Sequence, residues 1–527
     1  MKKINFTSDV APHLVAILVF LVVTVLFFNP IFFDNKVIDQ HDIQQFKGSS
    51  KSISDYRDAT GKEALWAPSM FSGMPAYLVS LRWSEGPIVW TKQVMSVFLP
   101  HPVANVFLAF VCYYILLLTF RVRSYLAIAG ALAFGLSSYV IVGLGAGHNA
   151  RIGAIAFMPL VMAGIHLALT KRRLLGFAVT TLGLALHLRE NHLQITYYLI
   201  LIVLAYGLVQ LIYSYREKQL KDFFTGLITL IPAALIATAT FFGQFWAITE
   251  YTQYSIRGPS ELIKPNSGPT KDGLPKSYAF EYSNGILEPM TLIIPDFYGG
   301  STSTYFVQDQ QSKSYQALVS SNDNQLANQL ANYTSAYWGP QGVTAPYYGG
   351  AIIVFLFVVG ILFADKKCLW WLLPLSVLSV ALSWGDHFSS FNYLMFDYFP
   401  AYNKFRSVTF ALIIILFAMP LLGMIGLEKF LETGASKETK KKLLIAFGAT
   451  GGLCLAVLVF GGMATLLREG ESQLPVWFTK ALQADRLSLM RADAFRSLGF
   501  ILPIFIVLYF NLNKKLSELG FLRFSSF

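Results

Sequence analysis

The sequence predicts an all-α polytopic membrane protein with about twelve transmembrane helices and two long extracytoplasmic loop regions. Three observations predict this class. Of the 527 residues, 54% are hydrophobic and only 13% are charged, whereas soluble domains carry about 25% charged residues. The apolar residues form blocks of roughly 18 to 24, the length that crosses a bilayer core. Basic residues recur between alternate blocks. This pattern excludes a soluble enzyme, a disordered chain and a disulfide-rich secreted domain.

Each apolar block is predicted to be one span. The blocks are 11–33, 103–120, 125–146, 152–170, 174–187, 193–213, 223–248, 346–364, 368–385, 407–427, 443–466 and 494–513. The first block is too long for a cleavable signal peptide and lacks a small-residue cleavage site. The short block 174–187 is interpreted as a tilted or partly re-entrant helix. Without it, every later segment would have the opposite orientation and the basic loops would lie outside.

The distribution of lysine and arginine sets the orientation. About half of the 41 basic residues lie in short segments on one side, from Lys2 and Lys3 to Lys514, Lys515 and Arg523. Cytoplasmic loops carry such an excess, so both termini are predicted to be cytoplasmic. The net charge of +11 is therefore a topology signal. No basic stripe with interleaved aromatic residues indicates nucleic-acid binding.

The same topology divides the chain into three regions. They are an N-terminal transmembrane module, 1–248, with the first outer loop 34–102, an extracytoplasmic loop region, 249–345, and a C-terminal transmembrane module, 346–527. In the first outer loop, 66–75 mixes apolar residues with turn formers and predicts a short interfacial helix followed by a turn. The Ser-, Gln- and Asn-rich stretch 301–335 predicts a polar insertion that is partly helical.

Two carboxylates follow the first span and are candidates for acid/base chemistry. Asp39 and Asp42 lie just outside the membrane, within reach of a membrane-bound substrate. Solvated loop acids are the alternative interpretation. Together with His41 they offer both oxygen and nitrogen ligands, so binding of a divalent metal stays an open alternative. No zinc-binding spacing or HExxH motif occurs, however. The three cysteines show neither metal-ligand nor disulfide spacing.

Further polar residues recur at the predicted outer ends of the spans. They are His148, Arg151, Glu190, His192, Gln194, Lys404 and Arg406. Each alone is also explained as an interfacial anchor or a packing hydrogen bond, because ionisable groups at bilayer depth are costly. The inner loops, by contrast, carry mainly plain Lys and Arg. The asymmetry predicts an outward-facing site for lipid-linked chemistry or substrate translocation.

Six fragments in order carry a family resemblance. They are His41-Asp42 with Gln44-Gln45, Leu65-Trp66 through Gly73-Met-Pro75, Gly147-His148, His192-Leu-Gln194, Pro295 through Gly300, and Phe405-Arg406. Together they resemble the YfhO family of bacterial multi-spanning membrane proteins, which is grouped with the GT-C-type glycosyltransferases. The resemblance covers nearly the whole chain and implies a GT-C-like fold in a bacterial plasma membrane. The chain differs in having His41 where relatives commonly have Gly.

The resemblance implies an inverting transferase that moves a sugar from a polyprenyl-phosphate donor to an extracytoplasmic acceptor. The acceptor classes are an envelope glycan, a teichoic-acid-like polymer, a lipid or a protein. The implied roles are base for Asp42, with Asp39 as the fallback, donor-phosphate binding for Arg406, and pocket positions for His148, His192 and Gln194. Arg151 or Lys404 is a further candidate for the phosphate, and Glu190 is a further candidate for the pocket. Many relatives continue into a further extracytoplasmic region, so a chain ending at Phe527 is either a short member or truncated.

A non-enzymatic lipid or polysaccharide transporter is the alternative function. Transporters often show inverted repeats and helices broken near the midplane of the membrane. The sequence shows no clear internal symmetry, and its Gly and Pro signals lie mainly at helix ends. A transferase is therefore the favoured prediction.

Overall fold

The computed structural model describes residues 5–83, 86–259 and 273–512. Part of the predicted orientation depends on Lys2, Lys3, Lys514, Lys515 and Arg523, which lie outside the described residues, as does the chain end at Phe527.

The described residues are mainly helical. In the first half, the helices are α1 Ala11–Phe27, α2 Asn29–Phe33, α3 His41–Ser49, α4 Lys51–Thr60, α5 Pro87–Met95, α6 Val103–Thr119, α7 Ser124–Gly135, α8 Ser138–Ala146, α9 Asn149–Leu169, α10 Arg173–Arg189, α11 Leu193–Arg216, α12 Leu220–Ala239 and α13 Phe242–Thr252. In the second half, they are α14 Lys276–Ala279, α15 Lys313–Ser320, α16 Asn324–Ala331, α17 Ala351–Phe363, α18 Lys366–Ser383, α19 Ser389–Tyr398, α20 Leu412–Glu432, α21 Lys437–Phe460 and α22 Val476–Leu512.

These helices form an all-α membrane protein. Within the described ranges, nine helical segments are long and apolar enough to cross a membrane. The apolar helices α6 and α17 are shorter, with 17 and 13 residues. Each of the twelve predicted blocks overlaps a helix, while the number of spans stays a prediction.

The short block 174–187 is a continuous helix, α10, of 17 residues. It packs closely along α9 through glycines on both helices. A side chain added at Gly176 would overlap the backbone of Ala168, and one at Gly164 would overlap the backbone of Thr180. Small residues of this kind let membrane helices approach each other. The close packing with α9 explains how so short an apolar block is held in the bundle.

Two local expectations need correction. Residues 66–75 form an antiparallel hairpin, β1 Trp66–Ala67 with β2 Met74–Pro75, and not an interfacial helix. The turn between the strands places Phe71, Ser72 and Gly73 at positive φ, which a helix does not allow. The last helix begins at Val476, well before the predicted start at 494. The charged residues in its first half lower the local hydropathy, so a search for apolar blocks does not find this part. The helix is continuous there because no Gly or Pro interrupts it.

The core is centred on α9 and α20, which are buried along almost their whole length. Helix α20 packs against α17, α18 and α7, and α9 packs against α6 and α10. One continuous apolar core joins these helices, so both predicted transmembrane modules contribute to it. The predicted outer ends of α9, α11 and α20 position the site described next.

Candidate ligand site

A cavity of about 360 Å³ lies at the predicted outer ends of α9, α11 and α20. Its lining includes the N-cap residues His148 of α9 and His192 of α11. Ser407, which precedes the 3₁₀ turn Val408–Ala411 leading into α20, also lines it. Helix N-termini carry partial positive charge and unsatisfied backbone N–H groups. The backbone alone therefore favours a negatively charged ligand here.

Three arginines, Arg151, Arg257 and Arg406, line the same cavity. The lining contributed by the described residues contains no Asp or Glu. Arg151 is only 3% exposed, and its guanidinium stacks on the ring of Phe410 with Cζ 4.2 Å from the centroid. Among the described residues, its Nε and Nη1 have no hydrogen-bond partner and no carboxylate forms an ion pair with it. A buried cation without a counter-charge is costly, so an anion is expected beside it.

Arg406 is held from both its backbone and its side chain. Gln194 Nε2 donates to the Arg406 carbonyl at 2.7 Å. The guanidinium donates to the Tyr278 hydroxyl, and its Cζ lies 4.9 Å and 5.9 Å from the ring centroids of Tyr278 and Tyr282. The next residue, Ser407, has φ of +59°, a strained conformation that is often found at functional sites. The local fold thus presents Arg406 to the cavity in a fixed position.

Asp42 reaches the cavity through His148. His148 Nε2 lies 2.9 Å from Asp42 Oδ2, and Asp42 does not itself line the cavity. The start of α3 is held over α9 by two amides, since Gln40 Nε2 donates to Asn149 Oδ1 at 2.9 Å and Asn149 Nδ2 donates back to Gln40 Oε1 at 3.1 Å. Gly147 allows this approach, because an added Cβ would lie 3.1 Å from Asp42 Cβ.

The two histidines of the lining are neutral at neutral pH. Burial, reinforced by the nearby Arg151 cation, lowers the pKa of His148 to about 4, against the opposing effect of Asp42. Burial and the same cation lower the pKa of His192 to about 3. A neutral His148 that contacts an ionised carboxylate through Nε2 carries its proton on that nitrogen, because the carboxylate can only accept. The positive charge of the cavity therefore comes from the arginines and the helix N-termini.

The structure places three other predicted site residues outside this lining. Asp39 accepts from Gln44 Nε2, so its carboxylate is turned along α3. Glu190 pairs with Lys92 of α5 at 2.6 Å and packs against Gly153. These contacts tie α3 and α5 to the neighbouring elements.

Lys404 is the third of these residues. It does not line the arginine-lined cavity but borders a second, neighbouring cavity. Its Nζ donates to the Arg257 carbonyl at 2.8 Å, and Arg257 Nε donates to the Lys404 carbonyl at 3.0 Å. This second cavity measures about 660 Å³ and is bordered by the apolar side chains Leu78, Leu193, Ile248 and Phe405. It shares His192, Gln194 and Arg257 with the arginine-lined cavity. The two cavities therefore form a polar site next to a partly apolar one. We call the part of the second cavity bordered by Leu78, Leu193, Ile248 and Phe405 the apolar annex.

Sequence reasoning missed Arg257 and the Gln40–Asn149 pair. Arg257 follows a helix predicted to end at 248, and nothing in its local sequence separates it from a solvated loop arginine. No three His, Cys, Asp or Glu side chains in the described part of the chain group as metal ligands, and Asp39, His41 and Asp42 form no such cluster.

No protein-family profile, curated protein or solved structure matches the chain. The resemblance to the YfhO family therefore stays a prediction based on the six sequence fragments.

Proposed function

We propose that the chain is an inverting membrane glycosyltransferase that takes a sugar from a polyprenyl-phosphate donor. The site would face the outside of a bacterial plasma membrane, with both termini cytoplasmic. The acceptor would be a hydroxyl on an envelope glycan, a teichoic-acid-like polymer, a lipid or a protein. The proposal agrees with the resemblance and draws its main support from the arginine-lined cavity.

The main supporting observation is Arg151, which lies beside Arg257 and Arg406 and is buried without a carboxylate partner among the described residues. A donor phosphodiester carries one negative charge and gains a second as its bond to the sugar breaks. Fixed guanidinium groups stabilise that developing charge more than the ground state, which is the requirement for catalysis. Arginine suits this role because its planar fork forms paired hydrogen bonds with phosphate oxygens.

The apolar annex supports a lipid-linked donor over a soluble one. Leu78, Leu193, Ile248 and Phe405 border a cavity that shares lining residues with the arginine cavity. An amphiphile with a charged head and a hydrocarbon tail matches this division. The tail would lie against the apolar side chains, while the phosphate would contact the arginines.

In the proposed reaction, the acceptor oxygen attacks C1 of the sugar and the bond from C1 to the phosphate oxygen breaks. Polyprenyl phosphate leaves, and Asp42 takes the proton from the acceptor. The His148 Nε2–H group fixes Asp42 Oδ2, while Oδ1 has no partner among the described residues and is free to accept that proton. A single displacement inverts the configuration at C1.

The test is transfer from a synthetic short-chain prenyl-phosphate sugar to envelope extract by the purified protein in nanodiscs. We expect Asp42→Asn to lower the rate by about 10² to 10⁴-fold, the usual contribution of a general base. Asp58→Asn is the matched control, because Asp58 is an exposed acid of the same outer segment. Full transfer by Asp42→Asn would contradict the assignment.

The alternative, transport of a lipid or polysaccharide, predicts a different result. A transporter would move a fluorescent prenyl-phosphate lipid across vesicle membranes and transfer no sugar. That outcome in the wild-type protein would replace the transferase proposal.

A further inference from the structure

A third cavity, of about 590 Å³, lies among the segments that connect the predicted outer ends of the helices. Residues 285–298, 333–340 and 467–471 form most of its wall, and none of its lining residues lines the arginine cavity. Its lining combines the aromatic rings of Tyr298, Tyr333 and Trp338 with the polar groups of His387, Arg468 and Glu469. The proposed transfer chemistry assigns no role to this cavity.

The frame of this third cavity is held together by a buried ion pair. Arg486 is fully buried and forms a paired ion contact with Glu471, from Nη1 to Oε2 at 2.5 Å and from Nη2 to Oε1 at 3.0 Å. The same guanidinium donates to the carbonyls of Ser335, Tyr337 and Leu466. One side chain therefore joins two of the wall segments to α22. A binding site gains from such a frame, because less conformational freedom is lost when a ligand binds.

The opposite edge is fixed by a second buried cluster. Glu288 accepts from the Tyr337 hydroxyl at 3.0 Å, from Gln341 Nε2 at 2.7 Å and from the Gly285 backbone N–H at 2.7 Å. Burial raises the pKa of Glu288. These bonds hold the edge at Gly285 and Ile286 against the wall that contains Tyr337.

The aromatic wall has an unsatisfied donor. The rings of Tyr298 and Trp338 lie 4.4 Å apart between centroids, and the Trp338 backbone N–H donates to the Tyr298 carbonyl at 2.9 Å. The Trp338 Nε1–H is buried and has no acceptor among the described residues. Buried donors are nearly always paired, so a ligand oxygen or a water is expected to accept this bond.

The third cavity lies close to the proposed phosphate site. The Tyr282 ring centroid lies 5.9 Å from Arg406 Cζ, and Gly285, three residues later, lines the third cavity. An extended chain advances at most about 3.6 Å per residue, so the Cα atoms of Tyr282 and Gly285 lie within about 11 Å. The two cavities are therefore neighbours at the same predicted face of the molecule.

We infer that the third cavity binds the oligosaccharide portion of the acceptor, which rests on the proposed transferase function. Sugars present apolar C–H faces that pack on aromatic rings, and hydroxyl groups that both donate and accept hydrogen bonds. Tyr298, Tyr333 and Trp338 supply the rings, Arg468 supplies donors and Glu469 supplies acceptors. Arg468 and Glu469 give this lining charges of both signs, whereas the charged side chains described in the arginine-lined cavity are all cationic. The third cavity therefore favours a neutral polar ligand over a second phosphate.

The test measures glycan binding by the full-length protein in nanodiscs without any prenyl donor. The probe is an array of bacterial surface oligosaccharides, with affinities then measured for each glycan retained. We expect Trp338→Ala and Tyr333→Ala each to weaken binding by about tenfold, as loss of an aromatic contact does. Tyr333 is 48% exposed, so its variant folds even if the packed Trp338 variant does not. Tyr398→Ala is the control, because Tyr398 is 82% exposed and outside the cavity lining.

The outcomes separate this inference from the transferase proposal. Glycan binding that is weakened at Tyr333 but not at Tyr398 supports the site, whatever the transfer assay shows. Absence of glycan binding, or equal affinities in the wild-type protein and both cavity variants, overturns the site. Loss of transfer in Asp42→Asn would still support the transferase in that case.

Discussion

Two buried arginines near the predicted outer side of the molecule have opposite surroundings. Arg486 is fully buried and fully paired, with Glu471 at 2.5 and 3.0 Å and three backbone carbonyls as acceptors. Arg151 is 3% exposed and rests on aromatic rings, with two nitrogens unpaired and no carboxylate partner in the described ranges. Burial alone therefore does not distinguish these two arginines, whereas the state of pairing does.

The comparison has a direct energetic consequence. A paired buried charge stabilises the fold only while its partner is present. An unpaired buried charge has a cost in the ligand-free fold that a bound anion would remove. Mutating the two arginines should therefore separate stability from activity.

The largest effect is expected for Arg486→Met. Removing the guanidinium leaves Glu471 buried without its main partner and releases the carbonyls of Ser335 and Leu466. Breaking one side of a buried ion pair typically costs about 3–5 kcal/mol. The measurement is the free energy of unfolding in mixed detergent. A stability equal to that of the wild-type protein would mean that the Arg486 contacts do not hold the segments at Ser335 and Glu471 to α22.

The second effect, for Arg151→Met, should appear in activity and not in stability. The apolar side chain keeps the packing on Phe410 and removes an uncompensated charge, so the melting temperature should stay equal or rise. Sugar transfer should fall by about 10² to 10³-fold, as when one stabilising donor is lost at a developing charge. A lowered melting temperature with normal transfer would instead show that Arg151 is structural.

Much of the fold was predictable from the sequence because hydropathy and charge follow directly from membrane physics. The distribution of Lys and Arg alone was enough to predict a span at 174–187, and the structure contains a helix there. The first half of α22 was missed because its charged residues have no hydropathy signal, although Asp485 receives the N–H groups of Lys313 and Ser314 at the start of α15. Tertiary contacts of this kind are invisible in one sequence.

The site was predictable in part, for a related reason. His148, Arg151, His192, Gln194 and Arg406 occur at span ends, and the structure places all five around one cavity. Their grouping follows from the predicted topology, since α9, α11 and α20 all begin at the same predicted face. Pairing could not be predicted, because it depends on side-chain contacts between distant segments. Thus Glu190 was expected in the pocket but pairs with Lys92, whereas Arg257 was overlooked.

The smallest effect concerns the pH dependence of stability. Partial burial, together with the nearby Arg151 cation, lowers the pKa of His148 to about 4 in the folded protein, below its ordinary value of 6.5. Between these two values the unfolded chain binds more protons at this position than the folded chain, so stability falls as the pH decreases from 6.5 to 4. Above 6.5 both states are neutral and the contribution is constant.

His148→Gln should therefore reduce the slope of melting temperature against pH between 4 and 6.5, because glutamine does not titrate. The Gln amide can still donate to Asp42, which keeps the local contact and makes the slope the informative quantity. Carboxylates elsewhere contribute equally to both proteins, so only the difference between the two slopes is compared. Identical slopes would show that His148 is solvated like an ordinary surface histidine. In that case Arg151 alone would indicate that the cavity is desolvated.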